Sequence, residues 1–429
     1  MRKRFGLAPV LSLLFSFWFS LGFSLVSLAE EFPEAGMGET HGISLEEKSS
    51  TENDRFRLGG ALWSEVSVYG LDSQASQRDY FSNTNQFWLY GEGKLRDDIR
   101  ALIRGKLLFD STARETVPNL ITGAVQKRYQ PDLEEMKIQF SAKKTVFFTL
   151  GKQKIKWGSG QIWNPSDFVN VIKRDPLRAS DERTGVVLVK SHVPVGSANL
   201  YSIELIEGAS RVSEVGQVFR AEVPIATSEL ALSAAFRKDR KSLLALDWSS
   251  ALGSIDVYTE ATYSSGSDLV FYESTDAMTT GSPFRSYREE KRGFYKGVIG
   301  ANYEFTYADS RSITAGLEYF YNGEGYSETG NTPWVFANGA YVPFYLGRQY
   351  FGSYIQIPNP GSWRDVSFTV IGICNLSDES ALFRINSDLV FARDLKVNLG
   401  FSHHFGKRSG EFRLGGQSDD LIAGVRVDF

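Results

Sequence analysis

The stretch Ile99-Arg-Ala-Leu-Ile-Arg-Gly-Lys-Leu-Leu-Phe-Asp110 decides the fold. In an extended chain, side chains point alternately to opposite sides. Ile99, Ala101, Ile103, Gly105, Leu107 and Phe109 therefore share one face, while Arg100, Arg104, Lys106 and Asp110 share the other. One face suits lipid and the other suits water. The same alternation sets Phe87, Leu89 and Leu95 against Gln86, Glu92 and Lys94, and Ile255, Val257 and Ala261 against Asp256, Glu260 and Thr262. It returns in Leu395, Val397, Leu399 and Phe401 against Lys396, Asn398 and Ser402.

A soluble two-sheet sandwich alternates too, so spacing has to decide. Segments of about ten residues, the length a tilted strand needs to cross a bilayer, recur about eighteen times. They begin near Phe56, Thr84, Ile99, Asp132, Thr145, Thr184, Ala198, Gly216, Ser228, Lys241, Ser254, Gly293, Arg311, Gln349, Trp363, Ser380, Asp394 and Asp420. Sixteen is the alternative count if the short hairpin near Asp239 does not form. Every second connection is tight and built of turn residues, as at Arg96-Asp97-Asp98, Pro194-Val195-Gly196 and Ala251-Leu252-Gly253. Those between are mostly long, among them Ser111 to Pro131, Lys154 to Arg183, Ser265 to Arg292 and Asn322 to Arg348. A sandwich has no reason to keep that parity. An all-β, antiparallel, up-and-down transmembrane barrel does, with short turns and both termini at one rim and long loops at the other.

The N-terminus fits such a destination. Arg2, Lys3 and Arg4 precede an apolar stretch from Phe5 to Val26, and Ser27-Leu28-Ala29 offers a cut before Glu30. That is the pattern of a signal peptide for the general secretory route. A retained membrane helix is the alternative, but an acidic segment follows where a basic flank would be needed. Residues 1–29 are thus expected to be removed. Residues 30–54, rich in Glu and poor in apolar residues, are expected to form a disordered periplasmic lead, and residues 55–429 the barrel. After Val26 no run of 18 apolar residues occurs, so no helix is expected to span a bilayer.

Without residues 1–29 the chain carries 44 basic and 51 acidic residues, a net charge of −7. An acidic chain lacks the basic face that nucleic acid requires. Cys374 stands alone, so stability must come from the strand ladder rather than disulfides.

The last strand places Leu421, Ala423, Val425, Val427 and Phe429 on one face and Ile422, Gly424, Arg426 and Asp428 on the other. An alternating strand that ends on Phe resembles the close of bacterial outer-membrane porins. The resemblance implies that Phe429 is the signal read by the barrel-assembly machinery. It also implies an outer-membrane site among lipid and lipopolysaccharide, small-molecule solutes as cargo, and room for a homo-oligomer.

Gly151-Lys-Gln-Lys-Ile-Lys-Trp157-Gly158-Ser-Gly160-Gln-Ile-Trp163-Asn164-Pro165-Ser166-Asp167-Phe168 is the most distinctive segment. Its Trp-Gly-x-Gly followed by Asn-Pro-x-Asp resembles a segment of porin-like barrel families of unknown substrate, over about twenty residues. From the residues themselves, Asn164 can cap a helix with Pro165 first and Asp167 in its first turn, so a short helix is expected over Pro165–Lys173. Trp157, Trp163 and Phe168 would hold this loop against the wall. Either it folds inward and narrows the lumen, as the resemblance implies, or it packs outside on its neighbours.

Lys154, Lys156, Arg174 and Arg178, with Lys173 and Arg183, surround that loop, and Arg100, Arg104 and Lys106 lie on the water face of the third strand. A ring of cations would draw anions. Asp175, Asp256, Glu260, Glu304, Glu318 and Asp388 also take loop or lumen positions, so ion pairs lining a mixed pore are the competing reading. Catalysis has no positive support: His41, His192, His403 and His404 form no recognisable triad or metal spacing, and no dinucleotide or phosphate loop is present. No cofactor is expected. The aromatics of Tyr319–Tyr326 and Trp334–Tyr350 fit the interfacial girdle of a barrel or a sugar-stacking, surface-binding loop, which keeps a closed structural barrel as the alternative to a channel.

Overall fold

The computed structural model describes residues 55–71, 78–113, 127–170, 173, 175–178, 183–308 and 311–429. The leader and acidic lead expected over residues 1–54 lie outside the described residues, as does Arg174.

The strands in chain order are Phe56–Leu71 (β1), Arg78–Arg96 (β2), Ile99–Asp110 (β3), Tyr129–Ala142 (β4), Val146–Gln153 (β5), Val186–Val195 (β6), Ala198–Leu205 (β7), Gly216–Ile225 (β8), Ser228–Phe236 (β9), Leu243–Leu252 (β10) and Ile255–Ser265 (β11). Phe271–Ser274 (β12) and Phe284–Tyr287 (β13) follow, then Gly293–Ala308 (β14), Arg311–Asn322 (β15), Gln349–Pro358 (β16), Val366–Asn375 (β17), Ser380–Ala392 (β18), Leu395–Phe405 (β19) and Gln417–Asp428 (β20). Eighteen of them form one sheet in which each pairs antiparallel with its neighbours in the chain. β1 pairs with both β2 and β20, so the sheet closes on itself. β12 and β13 stand apart as a small hairpin in the connection between β11 and β14. The hairpin β9–β10 near Asp239 forms, which settles the count at eighteen rather than sixteen.

The barrel is inverted relative to a water-soluble protein. Ile103 is 50% exposed on its outer wall, and Leu62, Leu89, Ile138, Leu232, Ile299 and Leu317 are exposed with it. Glu65, Asp247, Glu260, Glu318 and Arg384 are buried inside. In water this arrangement would be costly on both faces; in a bilayer the outer leucines meet hydrocarbon and closure leaves no strand edge unpaired. Exposed Phe56, Tyr303, Phe305 and Phe391 lie toward the short-turn ends of their strands, with Trp363 in the turn between β16 and β17, and Phe81, Tyr129, Tyr295, Tyr319 and Phe351 toward the other. These are the two aromatic girdles of a transmembrane barrel. Loop parity departs around β17, which joins β18 through only Leu376–Glu379 on the long-loop side and follows β16 after a longer connection, Asn359–Asp365, on the short-turn side.

The seam between β1 and β20 runs on to Phe429. The amides and carbonyls of Gly60 and Phe429 exchange two hydrogen bonds of 2.9 and 3.0 Å, and the Phe429 ring stacks on Phe87 at 6.3 Å. Gly60 makes room for that ring: a Cβ there would lie 2.6 Å from it. Gly60→Val is therefore expected to displace Phe429 and lower the yield of folded barrel, as is deletion of Phe429. The readout is the fraction migrating with heat-sensitive fast mobility on SDS gels, and an unchanged yield for both variants would remove the terminal aromatic from assembly.

Candidate functional site

The 32-residue connection between β5 and β6 turns into the barrel, and its local sequence explains how. Gly158 takes a left-handed φ of +93°, a conformation costly for other residues. A Cβ on Gly160 would meet the Trp163 carbonyl oxygen at 2.0 Å. The Trp-Gly-x-Gly segment thus supplies a sharp bend, and the amides beyond it point at the wall instead of along a helix.

Two carboxylates receive them. Glu260 of β11 accepts from the amides of Gly160 (2.8 Å) and Ser166 (3.0 Å) and from Asn164 Nδ2 (3.2 Å). Glu318 of β15 accepts from the amides of Gln161, Ile162 (3.1 Å) and Trp163 (3.1 Å) and from the Tyr258 hydroxyl (2.7 Å). Both glutamates are 1% exposed. The helix expected over Pro165–Lys173 does not form over its described part: Asn164 donates with its side chain rather than capping, and residues 164–170 run as turns and bends. The physical reason is competition, because charged carboxylates accept hydrogen bonds more strongly than the carbonyls of a short helix.

Apolar contacts follow the same path. Trp163, fully buried, stacks on Phe320 at 5.4 Å and lies 5.6 Å from Tyr350, within a cluster that includes Ile162, Tyr258, Val298 and Ile373. Ile155 and Val169, with partly buried Trp157 and Phe168, pack on Leu188, Ile203 and Val218 of β6–β8. Arg178 reaches the opposite wall, bonding Glu65 of β1 at 3.0 and 3.2 Å above the Trp63 ring. Asp167 ties the loop to itself through Asn170 and Arg183. The loop therefore runs from the β6–β8 wall across to β10–β16 and on to β1: it is inside, not packed on the outer rim.

The cations divide into two groups. Arg104 lies 3.4 Å from Glu135, and Lys106 and Lys154 lie 3.1 and 3.5 Å from the two oxygens of Glu134. These contacts are ionic; neither Glu134 oxygen meets hydrogen-bond geometry. Sequence alternation cannot place two consecutive glutamates on one face. A bulge does, because Arg104 pairs with Glu135 and Gly105 with Leu133, leaving Glu134 as the extra residue. Arg100 and Lys156, in contrast, are exposed and form no ion pair among the described residues.

A second inward segment, Glu411–Gly416, is held by one buried carboxyl. Glu411 accepts from the hydroxyls of Tyr341 (3.1 Å) and Tyr350 (2.7 Å), from Asn375 Nδ2 (2.9 Å) and from the Phe344 amide (2.9 Å). Burial, reinforced by the nearby Asp378 carboxylate, pushes its pKa up from 4.5 to about 7. A carboxyl raised in the folded state stabilises the fold while protonated, so this contribution is lost as pH rises from 4.5 through about 7. Protection of the amides in residues 406–416, taken relative to the unstructured exchange rate at each pH, is thus expected to fall across that window and to stay level in Glu411→Gln. An identical pH profile in the variant would assign the effect elsewhere.

The inner faces of β6–β8 and β17 are apolar in part, at Val186, Leu188, Ile203, Val218, Ile371 and Ile373, which the lipid-versus-water reading did not anticipate. The available signal was a run apolar on both faces, as in Val186-Val-Leu-Val and Val370-Ile-Gly-Ile. Glu260 and Glu318 were visible as inward charges, but nothing in the sequence paired them with amides more than ninety residues away.

Together these features define a closed transmembrane β-barrel with an internally anchored loop. In solved structures the same fold occurs in OccAB4 of Acinetobacter baumannii, with 9% identity, 88% of this chain and 100% of that one covered, and a TM-score of 0.55. OccAB1 of the same organism gives 10% identity, coverage of 91% and 99%, and a TM-score of 0.51. A variant of the Rhodopseudomonas blastica porin, at 11% identity, 87% and 100% coverage and a TM-score of 0.44, is too loose a likeness to bear on this chain. No family model matches the chain and no curated protein is similar to it in sequence.

Proposed function

We propose that this chain is an outer-membrane, porin-like channel through which small hydrophilic solutes diffuse passively, narrowed by the loop that begins at Lys154. The observation that carries this reading is the loop's anchorage inside a lipid-crossing barrel by Glu260 and Glu318. A loop that only decorated the rim would not be tied by its backbone to inward carboxylates. In this reading residues 1–29 direct export, residues 30–54 are a lead too short to act as a plug, and Phe429 guides insertion by the assembly machinery into a membrane bearing lipopolysaccharide.

The channel is proposed to favour anions weakly. Arg104, Lys106 and Lys154 are compensated by Glu134 and Glu135, and Arg178 and Arg183 by Glu65 and Asp167, so the preference rests on Arg100 and Lys156. The test is reconstitution of the mature chain in planar bilayers. Discrete current steps and a reversal potential displaced toward the anion are expected under a salt gradient. A correctly folded barrel that stays silent would instead make it a closed structural or surface-binding barrel.

A further inference from the structure

The two inward segments of the barrel meet at one residue. The Phe344 amide donates to Glu411 at 2.9 Å, and the Phe344 carbonyl accepts from Trp163 Nε1 at 2.9 Å. Its backbone has a φ of +65°, a left-handed conformation that is uncommon for a bulky side chain and persists only where the surroundings hold it. Glu411 and Trp163 are those surroundings, with Phe412, whose ring lies 6.0 Å from that of Phe344. A second path runs beside the first: the Tyr350 hydroxyl donates to Glu411, and the Tyr350 ring lies 5.6 Å from that of Trp163. Trp163, Phe344, Tyr350 and Phe412 belong to one apolar cluster, and a close-packed cluster transmits a shift of any member to the rest.

We propose that Glu411 is a positioning residue for the constriction: through Phe344 and Tyr350 it holds Trp163, and its charge state sets how firmly the loop from β5 to β6 stays on the wall. The proposal rests on the reading of that loop as the narrowing of a channel. The groups around Glu411 oppose a negative charge there. Asp378, in the turn between β17 and β18, accepts from the Glu411 amide at 2.6 Å, and Asp175 of the loop adds its charge near Tyr341. The neighbouring cations have other partners: Arg413 donates to the His404 carbonyl, Lys407 pairs with Glu379, and His404 of β19 bonds the Phe412 carbonyl and Asp420. An ionised Glu411 is therefore buried beside a second carboxylate, and lifting the segment into water relieves it. Phe344 then loses the acceptor of its amide and can leave the left-handed conformation, which withdraws its carbonyl from Trp163.

The experiment is hydrogen exchange on the full folded chain in detergent micelles, with protection of the amides in residues 161–163 taken relative to the unstructured rate at each pH. The docked segment keeps its proton up to about pH 7 and the released one only to 4.5, so docking weakens as pH rises through that window. Protection at residues 161–163 is expected to fall about tenfold across it and to stay level in Glu411→Gln. Any response of Glu260 and Glu318, which hold these amides directly, is common to both chains and cancels in the comparison. Trp163→Phe, which cuts the bond to Phe344 and keeps a ring, is expected to shrink the response at residues 161–163 while leaving that at 411–416. It also serves should Glu411→Gln fail to fold. The proposal is overturned if residues 411–416 lose protection while 161–163 do not, or if Glu411→Gln shows the same fall as the natural chain. In planar bilayers the same rise in pH is expected to add open-state noise that Glu411→Gln lacks. A silent barrel whose protection still follows Glu411 refutes the channel and upholds the coupling, whereas a conducting barrel without that dependence refutes the coupling alone.

Discussion

Replacing Glu260 and Glu318 together by Ala is expected to raise single-channel conductance severalfold and to add open-state noise. Each carboxylate accepts backbone donors from Gly160 to Ser166, and hydrogen bonds to a charged acceptor contribute about 1.5–3 kcal/mol apiece. Without them, buried amides of the loop must find water, and the economical way is for the segment to leave the wall. Trp163 and Ile162 resist, since they remain in their apolar cluster, so the loop should fluctuate rather than be expelled. Deleting residues 157–168 removes those contacts too and should give the larger and quieter increase. Conductance unchanged in both variants would mean that the loop does not limit passage, even though it lies inside.

The second large effect separates stability from selectivity among the cations. Lys106→Met is expected to destabilise the barrel by about 3 kcal/mol, because it strips from a fully buried Glu134 one of its two ion-pair partners among the described residues, Lys106 and Lys154. Urea titration of the folded fraction would show it. Arg100→Glu with Lys156→Glu, both at exposed positions, should leave stability nearly unchanged and move the reversal potential toward cations. Reversing Arg100, Arg104 and Lys106 together would mix the two effects, since it crowds new carboxylates onto Glu134 and Glu135. If the exposed pair is reversed and selectivity does not move, these cations do not govern the anion preference.

By itself the sequence determined the barrel. Period-2 alternation is local, because each side chain's face follows from its position in an extended chain, and loop parity follows from antiparallel connectivity. Thus Ile103 and Arg104 could be assigned to lipid and lumen, and the closing strand to Phe429 could be placed, without any long-range contact, whereas the hairpin near Asp239 was settled only by the pairing of β9 with β10. Other features needed the tertiary structure. The segment Asn164-Pro165-Ser166-Asp167 carries good helix-start residues, yet it is unwound by Glu260 and Glu318, which approach only when the barrel closes. Glu134 breaks the alternation through a bulge that exists only in the pairing of β4 with β3. The inward course of the loop and the neutralisation of Lys106 and Lys154 were likewise decided by chain segments meeting across the lumen, because a hydrogen bond or ion pair between distant residues has no signature in the local order of side chains.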